Sequence, residues 1–381
     1  MAPARPARGE VYRRLGVEPI INGRSTFTIL GGSLMAPPVV EAMRQASESF
    51  VDLVELQVAA GRRLAEITRN EAAFVCGGAA AGLFLSAAAA MVRDTADGVL
   101  SLDRLGSAPR EFIIHRAHRI PYDQAIRLAG GRLVEIGGPD RTDDSELMAA
   151  IGPSTAGVVY VPKAYLADAV LPLETVIDVA HRAGVPVIID AAAQLPPHEN
   201  LWRFTEAGGD LVLFSGGKGL RGPASTGLVV GRADYIERIA ANAAPLQRLG
   251  RPMKVGKEDM MGLLAAVEWY LAQDHVAVGL RDEAVVERIV RWARRRDDVT
   301  AERIGMGEAG QPTPRAWIRL TGGSPHQRDR LLAELRATPP RVDLLPDDEA
   351  GFFVAPETLL DGEEDVITRR LDRVLDRVPS A

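Results

Sequence analysis

The chain has 381 residues, too many for one ordinary core, so two domains of unequal size are expected. Hydrophobic residues make up 46% and charged residues 25%, the profile of a soluble globular protein, and the net charge of -6 leaves no basic excess for an extended nucleic-acid interface. A single cysteine, Cys76, excludes an internal disulfide and any multi-cysteine metal site, and no metal is expected.

Along the chain, the opening MAPARPARGE lacks the apolar run of a signal peptide and reads as a disordered tail, with the cytoplasm as the expected compartment. VEPIINGRSTFTILGGS then forms an arm whose Gly and Ser/Thr suggest close contacts rather than regular structure. Apolar spacing predicts helices over Pro37–Phe50 and Leu53–Thr68. Short apolar strands follow at AAFVC (72–76), EFIIH (111–115), RLVEI (132–136), AGVVYV (156–161), VPVIID (185–190), DLVLF (210–214) and TGLVV (226–230). Most are separated by helical segments such as Leu173–Arg182, which argues for a mostly parallel seven-stranded sheet covered on both faces. The last strands, joined by a short loop, allow an antiparallel one. The Ala-rich run from Ala79 to Val92, about 14 residues, is too short to span a bilayer, and no membrane association is expected.

After about Arg251 the pattern changes to long helices over Lys257–Leu271 and Val276–Arg296. Strands at RAWIRL (315–320), RVDLL (341–345) and GFFVA (351–355) follow, with a helix at HQRDRLLAELR and a final amphipathic one. The expected organisation is a tail and arm over 1–35, a large α/β domain over 36–250 and a small α+β domain over 251–381.

Three features fall where an α/β sheet places ligands, at the carboxyl ends of strands. In CGGAAAGL a strand runs through Gly77 and Gly78 into a helix that begins at Ala79, which suits an anion and equally suits a plain strand-to-helix turn. It matches neither dinucleotide nor P-loop fingerprints, so a NAD-dependent oxidoreductase is disfavoured. Asp190 ends VPVIID, where an acid serves as a helix cap, a metal ligand or a partner for a ring nitrogen. In FSGGKGLRGP, Lys218 sits in a loop too rich in glycine for a casual surface, and is either solvated or a Schiff-base amine. A glycine cup, then a strand-end Asp, then Ser-x-x-Lys, is the order that pyridoxal phosphate requires: a phosphate anchor, a carboxylate for the ring nitrogen and an amine for the aldehyde. About 28 residues separate Asp190 from Lys218, room for one helix and one strand.

With these motifs on INGRSTFTILGGSLM, AGRRLAEIT and RPMKVGKED, nearly the whole chain resembles the fold-type-I, aminotransferase-like pyridoxal-phosphate enzymes. Within them it is similar to the selenocysteine-synthase-like branch that includes D-glucosaminate-6-phosphate ammonia-lyase. The resemblance implies that Lys218 holds the cofactor and removes the substrate Cα proton, and that Asp190 pairs with the ring nitrogen. It also implies that Gly77, Gly78, Ala79 and Ser215 hold the phosphate. His118, in AHRIPYD, falls where relatives stack a ring on the cofactor, with a surface histidine as the plain alternative. Gln194 follows Asp190 by four positions, where related cysteine desulfurases usually use three, and is the candidate for the cofactor hydroxyl. Arg24, Ser25 and Thr26 of the arm, and Arg315 on a small-domain strand, are candidates for the substrate. Arg119, Arg221, Lys254 and Lys257 are further cations for an anionic group. The implied activity is β-elimination from an amino acid or amino sugar acid, of ammonia-lyase or dehydratase type. Racemisation, transamination and a non-catalytic binder are the alternatives. A homodimer or larger homo-oligomer is expected.

Overall fold

The computed structural model describes residues 9–101, 103, 106 and 108–377. The disordered tail expected over the first ten residues lies outside them as far as residue 8, and Glu10 already belongs to a helical turn. In chain order the elements are α1 (Glu10–Arg13), β1 (Ile20–Gly23), α2 (Pro37–Ser47), α3 (Leu53–Ile67), β2 (Ala72–Cys76), α4 (Ala79–Met91), β3 (Glu111–His115) and α5 (Gln124–Leu128). There follow β4 (Arg132–Ile136), α6 (Asp144–Ala150), β5 (Thr155–Tyr160), α7 (Leu173–Arg182), β6 (Val187–Asp190), α8 (Asn200–Glu206), β7 (Leu211–Ser215), β8 (Gly227–Gly231) and α9 (Ala233–Asn242). The remainder is α10 (Lys257–Leu271), α11 (His275–Ala293), β9 (Val299–Ile304), β10 (Arg315–Leu320), α12 (Pro325–Ala337), β11 (Arg341–Pro346), β12 (Gly351–Val354) and α13 (Glu363–Leu375).

The larger of two compact units comprises Gly31–Gln273 with Ala309–Gln311. Its seven strands lie in the order β2-β8-β7-β6-β5-β3-β4, and only β8 runs against its neighbours. The central strands are buried on both faces, which is why they read as unbroken Val/Ile/Leu runs rather than as alternation. On one face lies α4, buried from Ala81 to Met91; its alanines let it approach the sheet closely. On the other face Val176, Ile177 and Ala180 of α7 join the core with α3 and α10. The α10 helix packs on α2 and α3, so this unit extends to Gln273, past the boundary expected near residue 250. No helix among the described residues is long and apolar enough to cross a membrane.

Among the described residues the smaller unit holds 9–30, Asp274–Glu308 and 312–377. Its five-stranded sheet has the order β1-β11-β12-β10-β9. Here the arm differs from expectation: Ile20 to Gly23 form a strand that pairs in parallel with Arg341 to Leu344 of β11. The IING run is short and ends in glycine, so only its distant partner reveals it as a strand.

Candidate active site

Because β2, β7, β6, β5 and β3 share one direction, Cys76, Ser215, Asp190, Tyr160 and His115 all end on one edge of the sheet. The three features expected to carry chemistry meet there, and His118 lies just past the end of β3.

The first connection is the glycine turn. Gly78 has φ 108 and ψ 158, a conformation open to glycine, and a Cβ placed on it meets nothing within 4 Å. Open space therefore fronts the α4 N-terminus, whose first amides have no intrahelical acceptors and no side-chain cap. Gly77 is pressed from behind: its Cβ would lie 2.8 Å from the Met253 carbonyl oxygen, so the RPMK segment closes the back of the cup. Cys76 is structural. Burial pushes its thiol up to about 12, and it donates to the carbonyls of Gly78 (3.2 Å) and Gly227 (3.4 Å). Gly78→Ala is expected to destabilise the protein by about 1–3 kcal/mol through backbone strain. It should also weaken cofactor uptake, as read by urea unfolding and by titration with pyridoxal phosphate.

The second is Asp190. Its Oδ1 accepts from the Ala192 amide at 3.1 Å. Burial pushes the carboxyl above the ordinary carboxylate range, opposed by that amide and by the charges of Lys218 and Lys163. No cation forms an ion pair with Asp190 among the described residues, so a buried carboxylate stands ready for a positively charged partner.

The third is the lysine loop. Ser215 ends β7, and the Gly216 amide donates to the Thr226 carbonyl (2.9 Å) while Arg221 closes a turn onto the Lys218 carbonyl (3.0 Å). Ser33 clamps the loop from outside, its Oγ within 3.0 Å of the Gly217 carbonyl and 2.9 Å of the Lys218 carbonyl, and its amide on Gly217 at 2.8 Å. The Lys218 backbone is thus fixed while its side chain stays half-buried. Ser33 carries no periodic signal, and nothing in its sequence context separates it from other arm serines.

His118 is fully buried, its ring edge-on to Tyr160 (4.6 Å between centroids) and to His115 (5.0 Å). That packing leaves no open ring face, in contrast to the stacking expected for it. Its Nδ1 accepts from the Val161 amide (3.3 Å), and His115 Nε2 accepts from Leu171 (3.2 Å), which fixes the proton on the other nitrogen of each ring. Burial pushes His118 down to about 3, with His115 and Lys163 adding to the shift, and burial takes His115 to about 4. The unfolded chain binds these protons near its ordinary value of about 6.5, so stability falls as pH drops from there. Each histidine contributes a slope of up to ~1.4 kcal/mol per pH unit. Urea unfolding between pH 7 and pH 4 should therefore show a steep loss, and His118→Gln should flatten it by one proton.

Gln194 has a second role beside the one expected of it. Its amide nitrogen donates to the Ala309 carbonyl (2.8 Å), so it holds the strap Ala309–Gln311. Three of the four further cations are also engaged. Arg119 pairs with Asp123 and Glu135, Arg221 donates to the Leu34 carbonyl, and Lys257 donates to the Ala46 carbonyl and pairs with Glu258. Lys254 is exposed.

Arg24, Ser25, Thr26 and Arg315 belong to the smaller unit. Arg24 pairs with Asp343 (3.5 Å) and lies over Phe27. Ser25, at φ 93, donates to the half-buried Glu357, and half-buried Thr26 follows it. Arg315 donates to the Met306 carbonyl (2.8 Å) and covers the Phe353 ring. Both arginines thus have structural partners inside their own unit.

The edge fits pyridoxal phosphate on its own terms: an open anion cup at a helix start, a buried acid lacking a cation, and a lysine on a clamped loop. Lys163 is a residue that sequence reading passed over; it follows β5 and acts on both Asp190 and His118.

Comparison with known proteins agrees. The family model for L-seryl-tRNA selenium transferase matches residues 21–296. The 5'-C-glycyluridine monooxygenase-decarboxylase of a Streptomyces species is 35% identical over 96% of this chain and 92% of its own. The D-glucosaminate-6-phosphate ammonia lyase of Salmonella typhimurium is 34% identical over 73% of this chain and 75% of its own. A solved structure of D-glucosaminate-6-phosphate ammonia-lyase superposes with a TM-score of 0.82 at 28% identity, covering 97% of this chain and 99% of that one.

Proposed function

The chain belongs to the L-seryl-tRNA selenium transferase family, an enzyme with the aminotransferase-like fold and pyridoxal phosphate as its cofactor, and we propose that it is a carbon–nitrogen lyase. Its substrate is a small amino acid or amino sugar acid with a hydroxyl on Cβ. The Cα–H and Cβ–O bonds break and water leaves. Hydrolysis of the C–N bond then returns one water, so the sum is a keto acid and ammonia.

The cofactor, when bound, supplies an electron sink for the charge left at Cα. The chain's own groups do the rest. Gly77, Gly78 and Ala79 offer amides to the phosphate at the α4 N-terminus, with Ser215 at the neighbouring strand end. Asp190 pairs its carboxylate with the ring nitrogen and so keeps that nitrogen protonated. Lys218 Nζ takes the Cα proton, and the Ser33 clamp holds its loop in place for that transfer. The observation that carries the reading is the convergence of the cup, Asp190 and Lys218 on one sheet edge. Likeness to the ammonia lyase along almost the whole chain favours elimination as the outcome.

A second reading, oxygen-dependent decarboxylation of an α-amino acid, is favoured by the likeness to the monooxygenase-decarboxylase over nearly its full length. Incubating the holoenzyme with hydroxy-amino acids, in air and under argon, separates the two. Equal ammonia and keto acid with no oxygen uptake is the lyase result. Oxygen uptake with carbon dioxide release selects the second reading, and interconversion of enantiomers with no keto acid overturns both.

The same proposal makes the enzyme a cytoplasmic homo-oligomer that acts on a free small molecule without a nucleic-acid or membrane partner. The net charge of -6 supports the absence of nucleic acid. Phe50, Val51, Val54 and Val58, exposed around the start of α3, support self-association. Light scattering should give at least twice the chain mass, and tRNA should not shift the protein in a gel at low salt.

A further inference from the structure

Lys163 lies three residues past the end of β5, and β5 is hydrogen-bonded between the strands that lead to Asp190 and to His118. Tyr160 sits level with Ile189, so the chain leaves β5 beside Asp190. Its neighbour Val161 donates its amide to His118. The backbone of Lys163 is held twice. Its carbonyl accepts from the Leu166 amide (2.9 Å), and Gly310 of the strap packs so closely that a Cβ there would lie 2.8 Å from the Ala164 nitrogen. Gln194 holds the strap in turn through Ala309.

The side chain is half-buried, and among the described residues it has no ion-pair partner; its one ring contact is Tyr165 at 5.7 Å. A half-buried ammonium without a partner is costly, and the structure fixes its backbone at that position. Asp190, which ends the neighbouring strand β6 one residue past the partner of Tyr160, is the buried carboxylate beside that exit. Lys218 also acts on Asp190, but its amine is the one that the cofactor engages, so its charge there is not constant.

We propose that Lys163 is the standing counter-charge of the site, a positioning residue that keeps Asp190 ionised whatever the state of Lys218. The inference rests on pyridoxal phosphate as the cofactor and does not depend on which reaction follows.

The test measures pyridoxal phosphate affinity by fluorescence titration in a Lys218→Ala background, which removes the covalent link and the competing charge. The charged and titratable groups around Asp190 and Lys163 are then His118, His115 and Tyr160. The first two stay neutral above pH 5, and burial raises the Tyr160 hydroxyl to about 12. Adding Lys163→Met should weaken binding by about tenfold, the effect of removing one nearby opposite charge. It should also move the pH below which binding is lost upward by about one unit, because Asp190 then holds its proton more tightly. Lys163→Arg should restore both.

Equal affinity and an unchanged pH profile in Lys163→Met overturn the proposal. So does a loss that Arg fails to restore, accompanied by a lower melting temperature of the apoprotein, since that is a purely structural role. If neither the wild type nor Lys218→Ala takes up the cofactor, the cofactor assignment itself fails and this inference goes with it.

Discussion

Lys218→Ala is expected to lower turnover by at least ~10⁴-fold, the upper end of what a positioned acid–base group supplies. The structure makes this a clean experiment. The loop is held by backbone bonds to Thr226 and by the Ser33 clamp on the Gly217 and Lys218 carbonyls, none of which needs the lysine side chain. The variant should therefore fold and bind the cofactor without fixing it. Borohydride treatment followed by peptide mass analysis reads this directly. Wild type should carry the cofactor mass on the peptide containing Lys218, and the variant should carry none. Fixation on Lys163 in the wild type, or a variant keeping more than about 1% of activity, contradicts the assignment of Lys218 as proton acceptor.

Asp190→Asn is the second large effect, with two consequences of opposite sign. The amide keeps the shape and can still accept from Ala192, but it removes the charge that holds a proton on the ring nitrogen. A loss of about 10²–10³-fold in kcat is expected, the scale for removing one preorganised electrostatic group. Stability of the apoprotein should move the other way or not at all. A buried carboxyl whose folded pKa is raised favours the unfolded state above its unfolded value, near pH 4, and asparagine removes that burden. Thermal unfolding with and without pyridoxal phosphate separates the two. The apoprotein of the variant should melt no lower than wild type, and the cofactor should raise its melting temperature less.

Much of this arrangement was legible in the sequence, for identifiable reasons. A strand buried on both faces, such as Thr155–Tyr160, must be apolar throughout, so it announces itself. Gly77 and Gly78 were legible because a backbone approached by Met253 and opened toward a ligand has few alternatives to glycine. What was hidden depends on partners far away in sequence. The β1 strand is a strand only by virtue of β11, and α10 belongs to the large unit because α2 and α3 cover it. The hold of Gln194 on Ala309 likewise joins residues more than a hundred positions apart. Lys163 and Ser33 are single polar residues in loops, where no periodicity marks a role. Arg24 and Arg315 illustrate the converse: an arginine in the expected place already satisfied by Asp343 or by a carbonyl and an aromatic ring.

The parallel pairing of Ile20–Gly23 with Arg341–Leu344 also governs how the chain is made. During synthesis the large unit, Gly31–Gln273, emerges almost whole before any strand of the five-stranded sheet after β1 exists. The first strand must therefore wait, unpaired, while roughly three hundred residues are added, the slow long-range closure that costs folding speed. A nascent chain stalled short of residue 341 should have a protease-resistant cofactor unit and a protease-sensitive arm. The arm becomes protected only once β11 leaves the ribosome. Completion of the smaller unit is thus a signal that nearly the whole chain has been translated.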